Sequence, residues 1–332
     1  MTHVLAVRLD NEGDVLLAGP ALRALAAGAD RVTLLCGPRG RQAAALLPGV
    51  DDLVVWRAPW IDHEPPPVER ADVAAVIAQV AALEVDRALI FGSFHQSPLP
   101  TALLLRLAGV PWIGATSVDY PGSLLDLRHQ ISDDVHEVER SLGLVRAAGF
   151  DLPPGDDGAL QVVRPHGDVP ERPYVVMHPG ASVPARAWEP ERCGELVDAL
   201  AAGGRRVVVT GAPGERGLTA RVAGAAGLDL GGRTTFAELA DVLAAAEVVV
   251  VGNTGPAHLA AAVGTPVVSL YAPTVPAVRW RPWQVRHELL HVEVPCAGCR
   301  ARVCPVPEHP CLGGVSLEDV LAAVESLAGV VV

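Results

Sequence analysis

Val248-Val-Val-Val-Gly-Asn-Thr-Gly-Pro-Ala-His258-Leu-Ala-Ala-Ala-Val-Gly264-Thr-Pro-Val267-Val-Ser-Leu270 is the stretch that decides the fold. Four consecutive β-branched residues predict a strand buried on both faces, the habit of a parallel sheet. The Gly252–Gly255 turn leads into a small-residue helix over about 256–263. Gly264 is placed to end that helix, and Pro266 cannot continue it. Residues 267–270 read as the next strand. The intervening turn lies at the carboxyl end of a parallel strand, where α/β folds bind ligands. Backbone N–H groups at Thr254 and Gly255, with the helix dipole behind them, suit a phosphate. Pro256 fits a first helical turn, whose N–H positions have no intrahelical partner. The competing reading is an ordinary βαβ turn that binds nothing.

Working outward, strands and helices alternate through the rest of the second half. Strands read at 174–177, 206–210 and 228–230, and helices at 190–202 and 236–245. The first half repeats the pattern, with strands at 4–8, 31–36, 53–56 and 87–91 and a short one near 112–113. Its helices span 14–25, 42–47, 68–83 and 99–107, and Pro20 kinks or splits the first of them. Residues 129–148 read as one long polar helix. Such alternation predicts doubly wound parallel sheets. Asp151-Leu-Pro-Pro-Gly-Asp-Asp-Gly158 is rich in turn formers and reads as an interdomain segment. Ser316, with Asp319 three residues on, opens a terminal helix. The expected divisions are residues 1–160, 161–314 and a terminal helix in 315–332.

Composition narrows the function. Half of the 332 residues are hydrophobic, enough for two cores, and no long uninterrupted apolar run suits a membrane span. The N-terminus lacks the pattern of a secretory signal, so a cytoplasmic location is expected. A formal net charge of -12 opposes broad nucleic-acid binding, which needs a basic face. Of the six cysteines, Cys36 and Cys193 read as isolated buried thiols. Cys296-x2-Cys299-x4-Cys304-x6-Cys311 is a structural zinc candidate, although only its first pair has zinc-ribbon spacing. Two disulfides or four free thiols are the alternatives.

Several signatures are missing. No Gly-x-Gly-x-x-Gly follows the first strand and no Walker A loop is present, which disfavours a nicotinamide, flavin or P-loop site. Gly-x-Ser-x-Gly and His-Glu-x-x-His are absent too. What is present is a series of loops. Arg8-Leu-Asp-Asn-Glu-Gly-Asp14 follows the first strand, and His178-Pro-Gly-Ala-Ser182 with Arg186-Ala-Trp188 opens the second half. Gly211–Glu215, Gly252-Asn-Thr-Gly-Pro-Ala-His258 and Pro273-Thr274 complete the set. The series resembles the heptosyltransferase-like glycosyltransferases of family 9, over about residues 3–325. That resemblance implies a GT-B fold, two Rossmann-like doubly wound domains facing across a cleft. It places acceptor binding on the N-terminal half and a nucleoside-diphosphate sugar on the C-terminal half. It also implies a terminal helix packed back onto the first domain.

The resemblance implies roles residue by residue. Asp14 is the base that takes the acceptor proton; a first-turn helix Asp is the plain alternative. Arg186 reaches the phosphates, where a guanidinium can bind two oxygens. Gly180, Ser182, Thr254 and Gly255 add hydrogen bonds, His258 faces the sugar or diphosphate, and Glu215 accepts from the nucleoside. Asn253 stands where many relatives carry Asp, which puts the donor sugar in doubt. Asn11, His95 and Asp119 are weaker acceptor-side candidates. The implied activity is inverting, metal-independent transfer, with ADP-heptose the leading donor. The acceptor is a glycan or glycolipid, met in the cytoplasm or at the inner face of the membrane. A nucleotide-sugar epimerase or hydrolase on the same scaffold and a non-catalytic nucleotide-sugar binder are the other readings.

Overall fold

The computed structural model of the chain describes residues 1–62 and 64–328. It divides into two units, Met1–Val163 and Arg164–Val332. Each contains one six-stranded, all-parallel sheet.

In the first unit the order is β1 (His3–Arg8), α1 (Glu12–Leu17), α2 (Gly19–Gly28), β2 (Arg31–Cys36), α3 (Arg41–Ala44) and β3 (Asp52–Val55). There follow α4 (Arg70–Ala81), β4 (Arg87–Ile90), α5 (Leu99–Leu107), β5 (Trp112–Thr116), β6 (Leu127–His129) and α6 (Glu137–Ala147). The strands lie side by side as β3-β2-β1-β4-β5-β6. Pro20 splits the first helix as expected: α1 and α2 meet at Ala18, and Pro20 enters the first turn of α2, where its missing N–H costs nothing. Leu5, Val7, Leu35, Val54, Val76, Leu105 and Ile113 pack in one core.

The expected polar helix over 129–148 is corrected. His129 ends a short edge strand, and the helix begins only at Glu137. Its start is fixed by a capping box. The His136 ring accepts from the Val138 N–H (3.2 Å), and the Glu139 carboxylate accepts from the His136 N–H (3.1 Å).

The second unit runs β7 (Val175–His178), α7 (Pro190–Ala202), β8 (Val207–Val209), α8 (Arg216–Ala223), β9 (Leu228–Asp229), α9 (Phe236–Ala245) and β10 (Val248–Gly252). It continues with α10 (Gly255–Ala262), β11 (Val267–Leu270), α11 (Ala277–Trp280), β12 (His287–Leu290), α12 (Pro310–Gly313) and α13 (Leu317–Ala328). Its sheet order, β12-β11-β10-β7-β8-β9, is the first unit's order with each strand replaced by its counterpart. Both are the doubly wound 3-2-1-4-5-6 arrangement of a Rossmann domain. No helix among the described residues is long and apolar enough to cross a membrane.

The division between the units falls after Val163, just past the turn-rich segment 151–158. The terminal helix is not a separate element. Val320, Ala323, Val324 and Leu327 belong to the second unit's core with Val175, Leu196, Val250 and Val268. Its amphipathic stripe is buried at home, behind a cap in which the Asp319 N–H donates to Ser316 Oγ (3.1 Å).

Candidate active site

A 3-2-1-4-5-6 sheet reverses its winding between its first and fourth strands, and a crevice opens at their carboxyl ends. In the first unit that point lies between β1 and β4. Every residue of β1 is buried, so Arg8, its last residue, has a side chain only 1% exposed. A buried guanidinium has to be paired. Three carboxylates surround it. Arg8 Nε lies 2.8 Å from Asp10 Oδ2, an ion pair outside hydrogen-bond geometry. Arg8 Nη2 donates to Asp14 Oδ1 (3.1 Å) and to Ser93 Oγ (2.9 Å), and Nη1 lies 3.5 Å from Glu137 Oε2. Gln96, from the loop after β4, donates to Asp10.

Local sequence places each partner. Asp14 stands in the first turn of α1, directly after the β1 loop. Glu137 is the first residue of α6, put there by the His136 cap. Ser93 and Gln96 come from the far side of the winding reversal. Burial acts on the carboxyls. It pushes Asp10 up to about 6 against the pull of Arg8, and Glu12 up to about 7. It also raises Glu137, with Arg8 and Arg140 opposing. Asp14 differs from Asp10 and Glu137: its side chain is 19% exposed, and its Oδ2 has no hydrogen bond among the described residues. Helix-start placement alone does not describe it.

The weaker acceptor-side candidates lie around the same strand ends. Asn11 precedes α1, exposed, with no side-chain cap bond. His95 is exposed, edge-on to Phe94 at 5.2 Å. Asp119 accepts from Ser97 Oγ (2.8 Å), tying the loop after β5 to the loop after β4.

In the second unit the corresponding reversal lies between β7 and β10, and most of the donor-side residues expected from sequence lie in the loops there. Gly252 permits a close approach: a Cβ on it would lie 2.5 Å from the Arg186 carbonyl oxygen. That contact brings the Arg186 loop beside the Asn253–His258 loop. A side chain at Gly180 would collide with the Glu215 carboxylate, which accepts from the Ala212 N–H (2.7 Å), so Glu215 and Gly180 are neighbours. Arg186 is half-buried and acts electrostatically on Tyr271. Ser182 is exposed. His258 is buried, one turn into α10.

Two details depart from expectation. The Thr254 N–H does not await a phosphate; it donates to the Gly252 carbonyl (2.8 Å) in a tight turn. The Gly255 N–H keeps no partner among the described residues, so the cradle at the α10 start is smaller than the sequence suggests. Asn253 suits its position as an amide. Its Nδ2 donates to the Ala272 carbonyl (3.3 Å), which a carboxylate could not do, and its Oδ1 is buried without a partner. Thr274 Oγ1, after β11, is likewise buried and unpartnered. Unsatisfied buried polar atoms at strand ends are what a polar ligand would complete.

His178, at the end of β7, is kept neutral. Its ring is paired with Thr210 Oγ1 (2.9 Å), and burial lowers its pKa to about 4. Cys296, Cys299, Cys304 and Cys311 line one small cavity with Thr274 and His309, and all four are free thiols. No three possible ligands among the described residues are placed to hold a metal ion. The zinc candidate thus has proximity but no assembled ligand set among the described residues, and its segment is tied down by Gly298 N–H to the Pro273 carbonyl (2.7 Å) and Arg300 N–H to the Thr274 carbonyl (2.9 Å).

The sequence from the loop after β4 through the second unit's loops matches a known family. The model of glycosyltransferase family 9 (heptosyltransferase) fits residues 92–309. The chain belongs to glycosyltransferase family 9. Among curated family members, lipopolysaccharide heptosyltransferase 1 of Salmonella typhimurium is 30% identical over 234 residues, covering 67% of this chain and 71% of that one. Lipopolysaccharide heptosyltransferase 3 of Escherichia coli is 32% identical over 146 residues, a match spanning only 42% of each chain. The E. coli structure described as ADP-heptose lps heptosyltransferase II superposes with a TM-score of 0.77 at 21% identity, covering 99% of this chain and 98% of that one. This likeness shows the fold, and family 9 folds of this kind are GT-B.

Within the Arg8–Asp14 stretch the sequence singles out Asp14 and, more weakly, Asn11. Sequence reasoning missed Arg8, Asp10 and Glu137 as a group. One signal was available: an arginine closing the apolar run Val4-Leu-Ala-Val is destined for burial and requires partners.

Proposed function

We propose that the protein is an inverting glycosyltransferase that moves heptose from ADP-heptose to a hydroxyl of a lipopolysaccharide-type acceptor, the first unit taking the acceptor and the second the donor. The observation that carries this reading is the Asp14 carboxylate, fixed through Oδ1 and left with Oδ2 available at a winding reversal. In the step, Asp14 accepts the proton of the attacking hydroxyl. The acceptor oxygen bonds to the anomeric carbon as the bond from that carbon to the diphosphate oxygen breaks. Arg186 and the Gly255 N–H stabilise the charge that collects on the leaving diphosphate. Glu215 accepts from the ribose hydroxyls, and Asn253, Thr274 and His258 hold the sugar. Ser182 and Gly180 contact the phosphates. The step as drawn needs no metal ion. The names of the relatives support the substrate class. A lipid-linked acceptor places the reaction at the inner face of the membrane.

The test is Asp14→Asn, assayed for heptose transfer from ADP-heptose to heptose-deficient lipopolysaccharide. Loss of a general base predicts a fall in kcat of about 10²- to 10⁴-fold. ADP affinity measured by calorimetry stays within about twofold, because the donor is bound elsewhere. A folded variant keeping more than about a tenth of kcat contradicts the assignment.

A further inference from the structure

Arg8 is the centre of the most heavily charged buried cluster of the first unit, and glycosyl transfer as written above gives it no role. Its guanidinium is 1% exposed, yet it touches three carboxylates carried by three segments: Asp10 in the β1 loop, Asp14 on α1 and Glu137 on α6. A group needed only to satisfy a buried arginine would itself be buried, as Asp10 and Glu137 are, at 6% and 2%. Asp14 alone keeps an exposed face.

Resting on the reading of Asp14 as the base, we propose that Arg8 is the positioning residue of this site. It holds the base carboxylate by one oxygen, and Asp10 and Glu137 are counter-charges that hold the guanidinium. The geometry supports the division. Nη2 is shared between Asp14 and Ser93, which fixes the direction of the Nη2–Oδ1 bond from β1 and from the loop after β4 at once. Nη1 donates to Glu137 Oε2 (3.5 Å), and Nε lies 2.8 Å from Asp10 Oδ2 as an ion pair. A planar fork anchored on its other sides cannot rotate away from Asp14, so the carboxylate is oriented before the acceptor arrives. A lysine would supply the charge without the fork.

The charges facing this cluster come from every element packed around it. They are Asp14 on α1, Asp10 in the β1 loop, Arg39 after β2 and Glu137 and Arg140 on α6. Ser93 and Gln96 supply neutral bonds. Among the described residues, Asp14 is ion-paired with Arg8. Removing Arg8 takes that counter-charge from the Asp14 carboxylate.

The experiment compares wild type, Arg8→Lys, Asp14→Asn and the charge-balanced double variant Arg8→Gln/Glu137→Gln in the transfer assay, with kcat and KM for ADP-heptose measured from acid to neutral pH. For Arg8→Lys, loss of orientation predicts a fall in kcat of about tenfold or more with donor KM within about twofold. In the double variant the acid limb of the kcat profile, which reports protonation of the base in the complex, moves to higher pH. Should Arg8→Lys fail to fold, the double variant carries both readouts. If kcat and the acid limb stay at wild-type values, or if the loss falls wholly on donor KM, the proposal is overturned. An inactive Asp14→Asn beside a fully active Arg8 variant refutes the positioning role and leaves the function standing. An active Asp14→Asn refutes the function itself.

Discussion

Arg8 ends β1 and His178 ends β7, the same position in two sheets of one strand order, and both side chains are buried. The first unit keeps a full charge there and surrounds it with Asp10, Asp14 and Glu137. The second keeps a neutral ring, paired with the hydroxyl of Thr210, the residue after the neighbouring strand β8. One topology is thus fitted for two tasks. Fixed charge at the first reversal suits proton transfer. A reversal with a neutral side chain at the strand end, a basic Arg186 and a Gly255 N–H without a partner among the described residues suits a ligand that brings its own negative charge.

The contrast can be broken at its neutral end. A histidine whose folded pKa lies at about 4, below the ordinary value of about 6.5, stabilises the fold fully above about 6.5. That stability is lost as pH falls through about 4, because the unfolded chain takes up the proton first. The difference corresponds to about 3 kcal/mol. Thermal unfolding of the second unit should therefore weaken from pH 6.5 to 4, and His178→Asn should flatten that part of the curve. An unchanged slope in the variant means the buried ring is not what the unit protects.

It can be sharpened at the phosphate loop. Arg186→Ala removes one charge-assisted contact, so ADP binding by calorimetry should weaken by about 1.5–3 kcal/mol. Transfer at saturating donor should fall less than in Asp14→Asn. Equal ADP affinity in Arg186→Ala and wild type would move the phosphates elsewhere. The smallest effect is expected at α13. Ser316→Ala removes a cap of a helix buried in the second unit's core, costing about 1 kcal/mol in denaturant unfolding with ADP affinity retained.

The regular architecture was legible because its central strands are short runs dominated by apolar residues and bounded by turn formers, as in 31–36, 174–177 and 248–251. Two edge strands, β6 and β12, were not. Leu127–His129 and His287–Leu290 are short and only partly buried, so they lack both the apolar run and the alternation. The start of α6 was misplaced because histidine is not an expected capping residue, and it took the ring of His136 to end the polar stretch. The site divides the same way. Gly180, Glu215 and Gly252 lie in loops that can be read locally, whereas the Arg8–Glu137 pair spans 129 positions and has no local signature. Thr254 shows the remaining limit: the sequence placed it at a helix start, but only coordinates reveal that its N–H is already bonded to Gly252.

Hydrogen–deuterium exchange with and without saturating ADP tests the division of labour most directly. The account predicts slower exchange over 178–186, 211–215 and 252–258, with the amides of 8–14 and 93–96 unchanged. Protection of 8–14 by ADP, with none at 252–258, would contradict it.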